Sequence, residues 1–313
     1  MDTGTARTPT PAVTPPPDPA LGGYVRKSEP AEVFVRAWHT VSAHTHVVTL
    51  SWPRAHAFYT LDSGLTSPLL FTESVRQALA VLSHTVHEIP LGHRLGWEYV
   101  HSTVTTAALR DGARAPAVEL RVTHTGVTRR RGGSVHLTAH VTGTRDGDPL
   151  GTAEIRYTTH PPAIYDRLRR EYADARRAFA NALPLPAPVA PSLVGRADPR
   201  DVVIAPTATR HRYQLRTDTA HSVLFDHPHD HVPGMVLLEA VSQAAQAEAR
   251  PRRVLPVDFD STFSRYVEFD APCWLDVRPE PRDPSGRERV RVRGTQNDQE
   301  VFSSLTVLDP RTR

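Results

Sequence analysis

Val25-Arg-Lys-Ser-Glu-Pro-Ala-Glu-Val-Phe-Val35 and Val194-Gly-Arg-Ala-Asp-Pro-Arg-Asp-Val-Val-Ile204 are two writings of one formula: Val, any residue, a base, any residue, an acid, Pro, any residue, an acid, Val and two apolar residues. Each is followed by β-type residues and then by an Ala- and Leu-rich segment that carries a Glu and, four residues on, a Gln. These are Glu73 and Gln77 in the first stretch and Glu239 and Gln243 in the second. Repetition of order as well as composition marks a duplicated unit.

Working outward, residues 1–22 hold six of the 29 prolines and almost no large apolar side chain, which predicts a disordered tail. From Tyr24 to Trp52 the residues are β-like, and over Ser67–His84 the period changes: Leu69, Leu70, Val75, Leu79 and Leu82 recur at helical spacing. Extended runs broken by Asp111-Gly112, Gly132-Gly133 and Asp146-Gly147 follow and read as antiparallel strands. A charged amphipathic helix over Ile164–Leu183 and the linker PLPAPVAPS close the first unit. The second repeats the order, with extended runs from Val202 to Leu215, a helix from Gly234 to Ala249 and extended runs ending near Val307. The expected division is a tail (1–22), a first repeat with its connecting helix and linker (23–190) and a second repeat (191–313), an α+β chain with one helix cradled by a bent antiparallel sheet, twice.

With 313 residues the chain can bury two medium cores. The lone cysteine, Cys273, excludes an intramolecular disulfide, and the sequence has no basic-plus-apolar leader and no long apolar run, so a cytoplasmic protein with no membrane segment is expected. A net charge of +3, carried by arginine with Lys27 the single lysine, allows an acidic carrier or a phosphorylated substrate. Zinc-finger spacing, an aromatic ribonucleoprotein motif and a basic helix are absent from the sequence, so nucleic acid is not an expected partner.

The most site-like stretch is Phe225-Asp-His-Pro-His-Asp-His-Val-Pro-Gly-Met-Val-Leu-Leu-Glu-Ala240. Gly234 would open a helix whose free amides can hold an oxyanion, Glu239 lies on an otherwise apolar helix, and His227 precedes it. Alternatively, His227 packs a turn and Glu239 meets solvent. His227, His229, Asp230 and His231 are close enough in sequence to suggest a metal, but they miss the spacing of a dinuclear site and have no downstream ligand set, so neither metal nor cofactor is expected. In the first unit Glu73 and Arg76 would adjoin on one helix face, either as a plain ion pair or with Arg76 gripping a phosphate while Glu73 takes a hydroxyl proton. His56 and His221 stand at matching distances before Glu73 and Glu239, and His221 and His229 read as ordinary hydrogen-bonded histidines.

KSEPAEVFV, WPRAHAFY, SPLLFTESVRQA, IPLGHRLGWEY and FDHPHDHVPGMVLLEA together resemble the AfsA family of γ-butyrolactone (A-factor type) biosynthesis proteins, over about residues 24–308. The HPHDHVPGMVLLEA element is also similar to the loop and helix of hot-dog 3-hydroxyacyl-carrier-protein dehydratases. The resemblance implies a double hot-dog fold. It implies transfer of a β-ketoacyl group from an acyl carrier protein to dihydroxyacetone phosphate, the ester then closing to a butenolide phosphate. By it, His227 and Glu239 form the active pair with Glu73 as a further acid-base group, and Arg76, Gln77, Gly234, Ser242, Gln243, Asp230 and His231 contact substrate. The family's second helix reads E-x-x-R-Q, and Ser242 stands here where Arg is expected, which leaves open which repeat is catalytic. A dehydratase or thioesterase acting on thioesters alone, or a silent acyl- or lactone-binding regulator, are the other readings. A duplicated hot dog can exist as a monomer or a homodimer.

Overall fold

The apolar residues of SPLLFTESVRQALAVLSHT form a helix at Leu69–Thr85, and those of the second copy form one at Gly234–Ala249. The computed structural model describes residues 19–110 and 115–310. In chain order the helices are α1 (Pro19–Val25), α2 (Leu69–Thr85), α3 (Pro162–Arg169), α4 (Ala175–Ala180) and α5 (Gly234–Ala249). The first six strands are β1 (Val35–Ser42), β2 (Thr45–Ser51), β3 (Arg94–Val104), β4 (Ala117–Arg129), β5 (Val135–Arg145) and β6 (Asp148–His160). The second six are β7 (Ile204–Pro206), β8 (Arg212–Leu215), β9 (Val254–Phe263), β10 (Cys273–Glu280), β11 (Glu288–Gln296) and β12 (Gln299–Pro310).

All twelve strands form one antiparallel sheet in the order β1-β2-β4-β5-β6-β3-β9-β12-β11-β10-β8-β7. Read inward from either edge the two halves are the same sequence of elements, and they meet at the β3–β9 seam. Tyr99 pairs with Thr262 and Thr103 with Asp258 there. Beyond Tyr99 the start of β3 keeps β6 as its only partner, so the seam is splayed at that end. α2 contacts β1, β3, β4 and β6, while α5 contacts β7, β9, β10, β11 and β12. An edge strand and a seam strand that both touch one helix mean that each half-sheet curls around its own helix, the double hot-dog arrangement. The hairpins that repeat across the halves turn at Asp146-Gly147 and Asn297-Asp298, all four residues with positive φ, as two-residue loops matched to strand twist require.

Both helices are buried on nearly every side, so their polar side chains must find partners inside the protein. Gln77 Oε1 accepts the Phe34 N–H at 2.8 Å and its Nε2 donates to Glu32 O at 2.7 Å; Gln243 does the same with Val203 N–H and Asp201 O, both at 2.8 Å. Each glutamine therefore ties the repeated opening segment to the helix. His56 and His221 complete the device, each accepting two backbone N–H groups on Nδ1 while Nε2 faces Glu32 or Asp201 at 3.0 Å. The expectation that Gln77 and Gln243 touch substrate is thus corrected: their amides are consumed by backbone groups that have no other partner.

Other boundaries also differ from the sequence reading. Residues 19–22, expected in a disordered tail, begin α1, whose Leu21 and Val25 are buried against α2; the rest of that tail lies outside the described residues, as does the turn expected at Asp111-Gly112. The single helix expected over Ile164–Leu183 is broken into α3 and α4. Arg169 is drawn inward by Asp230 and Glu268, Arg170 takes φ 51°, and Asp174 caps α4 by accepting the Arg176 and Arg177 N–H groups. Among the described residues no helix is long and apolar enough to cross a membrane.

Replacing Gln243 by Ala should lower the unfolding free energy by about 1–3 kcal/mol, since the Val203 N–H and Asp201 carbonyl would be left buried without partners. Urea unfolding followed by tryptophan fluorescence measures this, and an unchanged midpoint would show that the clamp contributes nothing.

Candidate active site

A cavity of about 740 Å³ lies between α2 and the loop that leads into α5, within the size range of small-molecule sites. One wall is a stripe along α2, made by Glu73, Arg76, Leu79 and Ala80. The opposite wall is the loop Asp226–Pro233 with the first residues of α5. The splayed start of β3, the segment after β9 and the inner side of α3 complete it, with Arg26 and Lys27 entering from the turn after α1. The two walls therefore come from different repeats.

In the loop, Asp226 is buried and receives the Ser28 N–H on Oδ2 at 2.8 Å, while its Oδ1 lies 2.7 Å from His227 Nδ1. Burial alone would raise the Asp226 carboxyl, but the His227 hydrogen bond, the Lys27 charge and the Ser28 N–H hold it down at about 2. The Asp226 carboxylate beside Nδ1 orients the His227 ring, and His227 lines the cavity. The His229 ring lies tilted 4.2 Å from that of His227; burial, then the neighbouring His227 and His231, push it down to about 3, so it is neutral at pH 7.

Asp226, His227 and His229 offer ligand atoms within 4.8 Å of one another, making them a possible metal-holding trio. The Asp226–His227 hydrogen bond is the arrangement of an orienting dyad, with Asp226 Oδ1 and His227 Nδ1 engaged with each other.

Glu73 and Arg76 meet as the sequence suggests, but the pair is closed. Arg76 Nε and Nη2 grip the two carboxylate oxygens at 2.7 Å each, Gln77 Nε2 adds a third hydrogen bond at 2.9 Å and Lys27 Nζ stands 3.9 Å away. Burial would raise the Glu73 carboxyl; Arg76, Lys27 and these hydrogen bonds outweigh it and hold the group at about 2. So acidic and so fully engaged a carboxylate is a poor proton acceptor, and its contacts hold the Arg76 guanidinium in place.

Around this anchor the cavity is cationic. Arg26, Lys27, Arg76 and Arg94 all line it, and among the described residues only Lys27 and Arg76 of the four are ion-paired with a carboxylate. Arg26 holds φ 56° and reaches the Leu91 and His93 carbonyls. Its guanidinium is lowered to about 10 by burial and by the charges of Arg94 and Arg76. At the other end of the loop, Asp230 accepts from Tyr165 at 2.5 Å and Arg169 at 3.2 Å and contacts His231 at 3.0 Å, while Arg169 also binds Glu268 through both nitrogens. Asp230 and His231 line the cavity, and the acceptor capacity of Asp230 is spent on Tyr165 and Arg169 of α3. Gly234 opens α5 with no side chain capping the helix, and a Cβ there would come within 2.8 Å of the Trp97 ring, so only glycine fits.

Glu239, Ser242 and Gln243 are not among the residues lining this cavity. Glu239 is buried in an ion pair with Arg196 (2.7 Å) and a hydrogen bond from Gln243 (2.6 Å), and the Arg196 guanidinium lies 4.1 Å over the Phe58 ring and donates to the Phe58 carbonyl. Lys27 is the counterpart of Arg196 in the first repeat, and it donates to Val223 O at 3.3 Å. Beside Glu239 the larger pair Arg196 and Phe58 thus fills the space that the smaller pair Lys27 and Val223 leaves open beside Glu73. The expected pairing of His227 with Glu239 is corrected to His227 with Asp226, facing α2 of the other repeat. Ser242, whose Oγ accepts from Gln246, does not reach the cavity, so the missing arginine lies outside it.

The sequence reading missed Asp226, Arg26, Arg94 and Arg169. Asp226 directly precedes His227, and Arg26 stands where the second copy has Gly195, a difference inside the repeated formula that marks the two copies as unequal.

The family profile described as the A-factor biosynthesis hotdog domain, AfsA, matches residues 8–161 and 178–304. A protein of Streptomyces virginiae named 2-oxo-3-(phosphooxy)propyl 3-oxoalkanoate synthase is 39% identical over 282 residues, covering 90% of this chain and 94% of that one. A protein of Streptomyces griseus with the same name is 34% identical, covering 90% and 92%. Among solved structures, the 12:0-ACP thioesterase of Umbellularia californica superposes with a TM-score of 0.53 at 11% identity, covering 87% of this chain and all of the other, a likeness of fold.

Because the Glu73 carboxyl is lower in the folded protein than its ordinary 4.5, the unfolded chain binds the extra proton. The stability this group contributes is complete above about pH 5 and is lost as pH falls toward about 2. Unfolding midpoints measured across that window should fall for the natural protein, with a smaller Glu73 contribution to the slope in Glu73→Gln; identical slopes would remove the assignment.

Proposed function

The chain belongs to the AfsA family, and from that premise we propose that it condenses a 3-oxoacyl thioester with the free hydroxyl of dihydroxyacetone phosphate, releasing the thiol. The relatives' name describes the product of this condensation, a 3-oxoalkanoate ester of a phosphorylated dihydroxyacetone. One observation carries the reading for this chain. The Asp226–His227 dyad, a cluster of four cationic side chains and an apolar stretch of α2 converge on a single cavity.

The division of labour follows from the geometry. Arg26 and Arg94, with Arg76 held in place by Glu73, bind the phosphate, whose charge relieves the mutual repulsion of the guanidinium groups. His227 Nε2 removes the hydroxyl proton as the oxygen attacks the thioester carbonyl. The tetrahedral oxyanion faces the uncapped first turn of α5 at Gly234 and Met235. Collapse breaks the carbon–sulfur bond, and the imidazolium returns its proton to the departing thiolate. A positioned base contributes roughly 10²–10⁴-fold, and fixing both reactants in one cavity supplies much of the remainder. In the ester, the carbon between the two carbonyl groups can then add to the triose ketone and lose water, giving a butenolide phosphate.

The thioester is carried by an acyl carrier protein in this reading. Arg265 and Arg94, both exposed and both lining the cavity, suit an acidic carrier. The site needs no metal for this sequence of steps, and chelator-treated protein is expected to keep its activity.

Ester formation followed by mass spectrometry, with a 3-oxoacyl thioester and dihydroxyacetone phosphate together and separately, tests the whole reading. A phosphorylated ester should appear only when both are present. Thioester loss without the acceptor would replace the reading with a hydrolase or dehydratase. His227→Gln should lower kcat by about 10²-fold or more. Glu239→Gln should retain kcat in the folded protein while losing about 3–5 kcal/mol of stability, because Arg196 is left buried without its partner. The reverse pattern would return the chemistry to the second repeat.

Arg26→Ala should raise the KM for dihydroxyacetone phosphate about tenfold or more, with little change in the KM for the thioester, since a charge-assisted hydrogen bond is worth about 1.5–3 kcal/mol. An equal rise in both constants would place the phosphate elsewhere.

A further inference from the structure

The stripe that α2 presents to the cavity changes character along its length. Glu73 and Arg76 are charged, whereas Leu79 and Ala80, up to seven residues and about 10 Å farther along the axis, are apolar. One turn beyond Ala80 the next residue of the stripe, Ser83, is fully buried and no longer lines the cavity. Its Oγ lies 3.0 Å from the hydroxyl of Tyr157, a β6 residue that does line the cavity. The same hydroxyl lies 3.3 Å from His124 Nε2 on β4. Tyr157 is therefore tethered to helix and sheet at once, and its ring stands across the apolar end of the stripe.

Two further features make this a wall rather than a gate. Trp97, the register partner of Tyr157 on β3, is fixed against Gly234, so the ring has a bulky neighbour on the seam side. Behind the hydroxyl the interior is polar: the His124 ring lies 4.3 Å from that of His87, and a buried nitrogen on each has no hydrogen-bond partner. An apolar tail gains nothing by continuing in that direction.

We propose that Tyr157 is the floor of the acyl pocket and sets the longest 3-oxoacyl chain the enzyme accepts. The inference rests on the acyltransferase reading for the identity of the chain, and on the tethered ring for the position of its end. A tail that starts at the dyad and follows Leu79 and Ala80 meets the Tyr157 ring edge-on or flat, and each methylene beyond that point must displace it.

The test uses the full-length protein and a series of 3-oxoacyl N-acetylcysteamine thioesters of increasing chain length. Tyr157→Ala should move the optimum to longer chains, raising the ratio of kcat/KM for long over short thioesters by about tenfold or more, the discrimination one or two methylenes provide in an apolar pocket. Ala80→Leu, which adds bulk on the facing helix, should move the optimum to shorter chains, and it carries the test alone if Tyr157→Ala does not fold. Tyr157→Phe keeps the ring and should keep the natural optimum. Thermal shifts with the same thioesters, in the absence of acceptor, report binding apart from turnover. A displaced binding profile in a protein that forms no ester would support the floor and defeat the acyltransferase reading. Folded Tyr157→Ala and Ala80→Leu proteins with the natural chain-length profile would overturn the proposal.

Discussion

A carboxylate in the middle of a helix that is buried on all sides is the constraint around which this protein is arranged. Glu73 and Glu239 are both buried and each meets a cation from the same place in the repeated opening formula, Arg196 directly at Glu239 and Lys27, behind the helix's own Arg76, at Glu73. The opening segment must therefore lie along the helix, and Gln77 or Gln243, one turn on, fixes it there through the backbone. Sheet, helix and opener are in this way mutually dependent in each repeat. The apolar residues that fill the rest of the core add the burial that makes the arrangement stable.

From that common frame the two repeats diverge through a few side chains. Around Glu73, Arg76 shares the carboxylate with a lysine, the facing Val223 is small, and a cavity lies alongside; around Glu239, Arg196 takes the carboxylate and packs on Phe58, and Glu239 does not line that cavity. Chemistry then follows available volume rather than the symmetry of the fold. The histidine loop of the second repeat faces the open side, so the site is built from α2 of one copy and the loop of the other. The His–Glu pairing that a dehydratase-like motif suggests is replaced by an Asp226–His227 pair within the loop, which faces α2 of the other copy.

How much of this the sequence disclosed depended on whether the signal was local. The duplication, both central helices and the candidate loop were legible, because period and order are properties of the chain alone. The family resemblance supplied the fold and the reaction, and the AfsA match accords with it. What could not be read was which partner each charged group chooses. Glu73 and Arg76 were seen as neighbours, but the closure of their bond, the third contact from Gln77 and the approach of Lys27 depend on the depth at which the helix is buried. Glu239 looked like the acid of an active pair because its true partner, Arg196, lies 43 positions away. Asp226 was passed over for an opposite reason: its contact with His227 is so short in sequence that no spacing drew attention to it.

The filling of the space beside Glu239 by Arg196 and Phe58 also alters the arithmetic of occupancy. Two separate hot-dog chains related by a true twofold would carry identical sites, and saturation, cooperativity or half-occupancy would be open questions of the pair. Covalent fusion releases the halves from that identity. With Arg196 and Phe58 packed beside Glu239 and the described cavity lying along α2, the two halves are no longer interchangeable, and a ligand of that cavity is expected to titrate to one per chain. A hyperbolic saturation curve is then a property of the individual molecule, whatever assembly it joins.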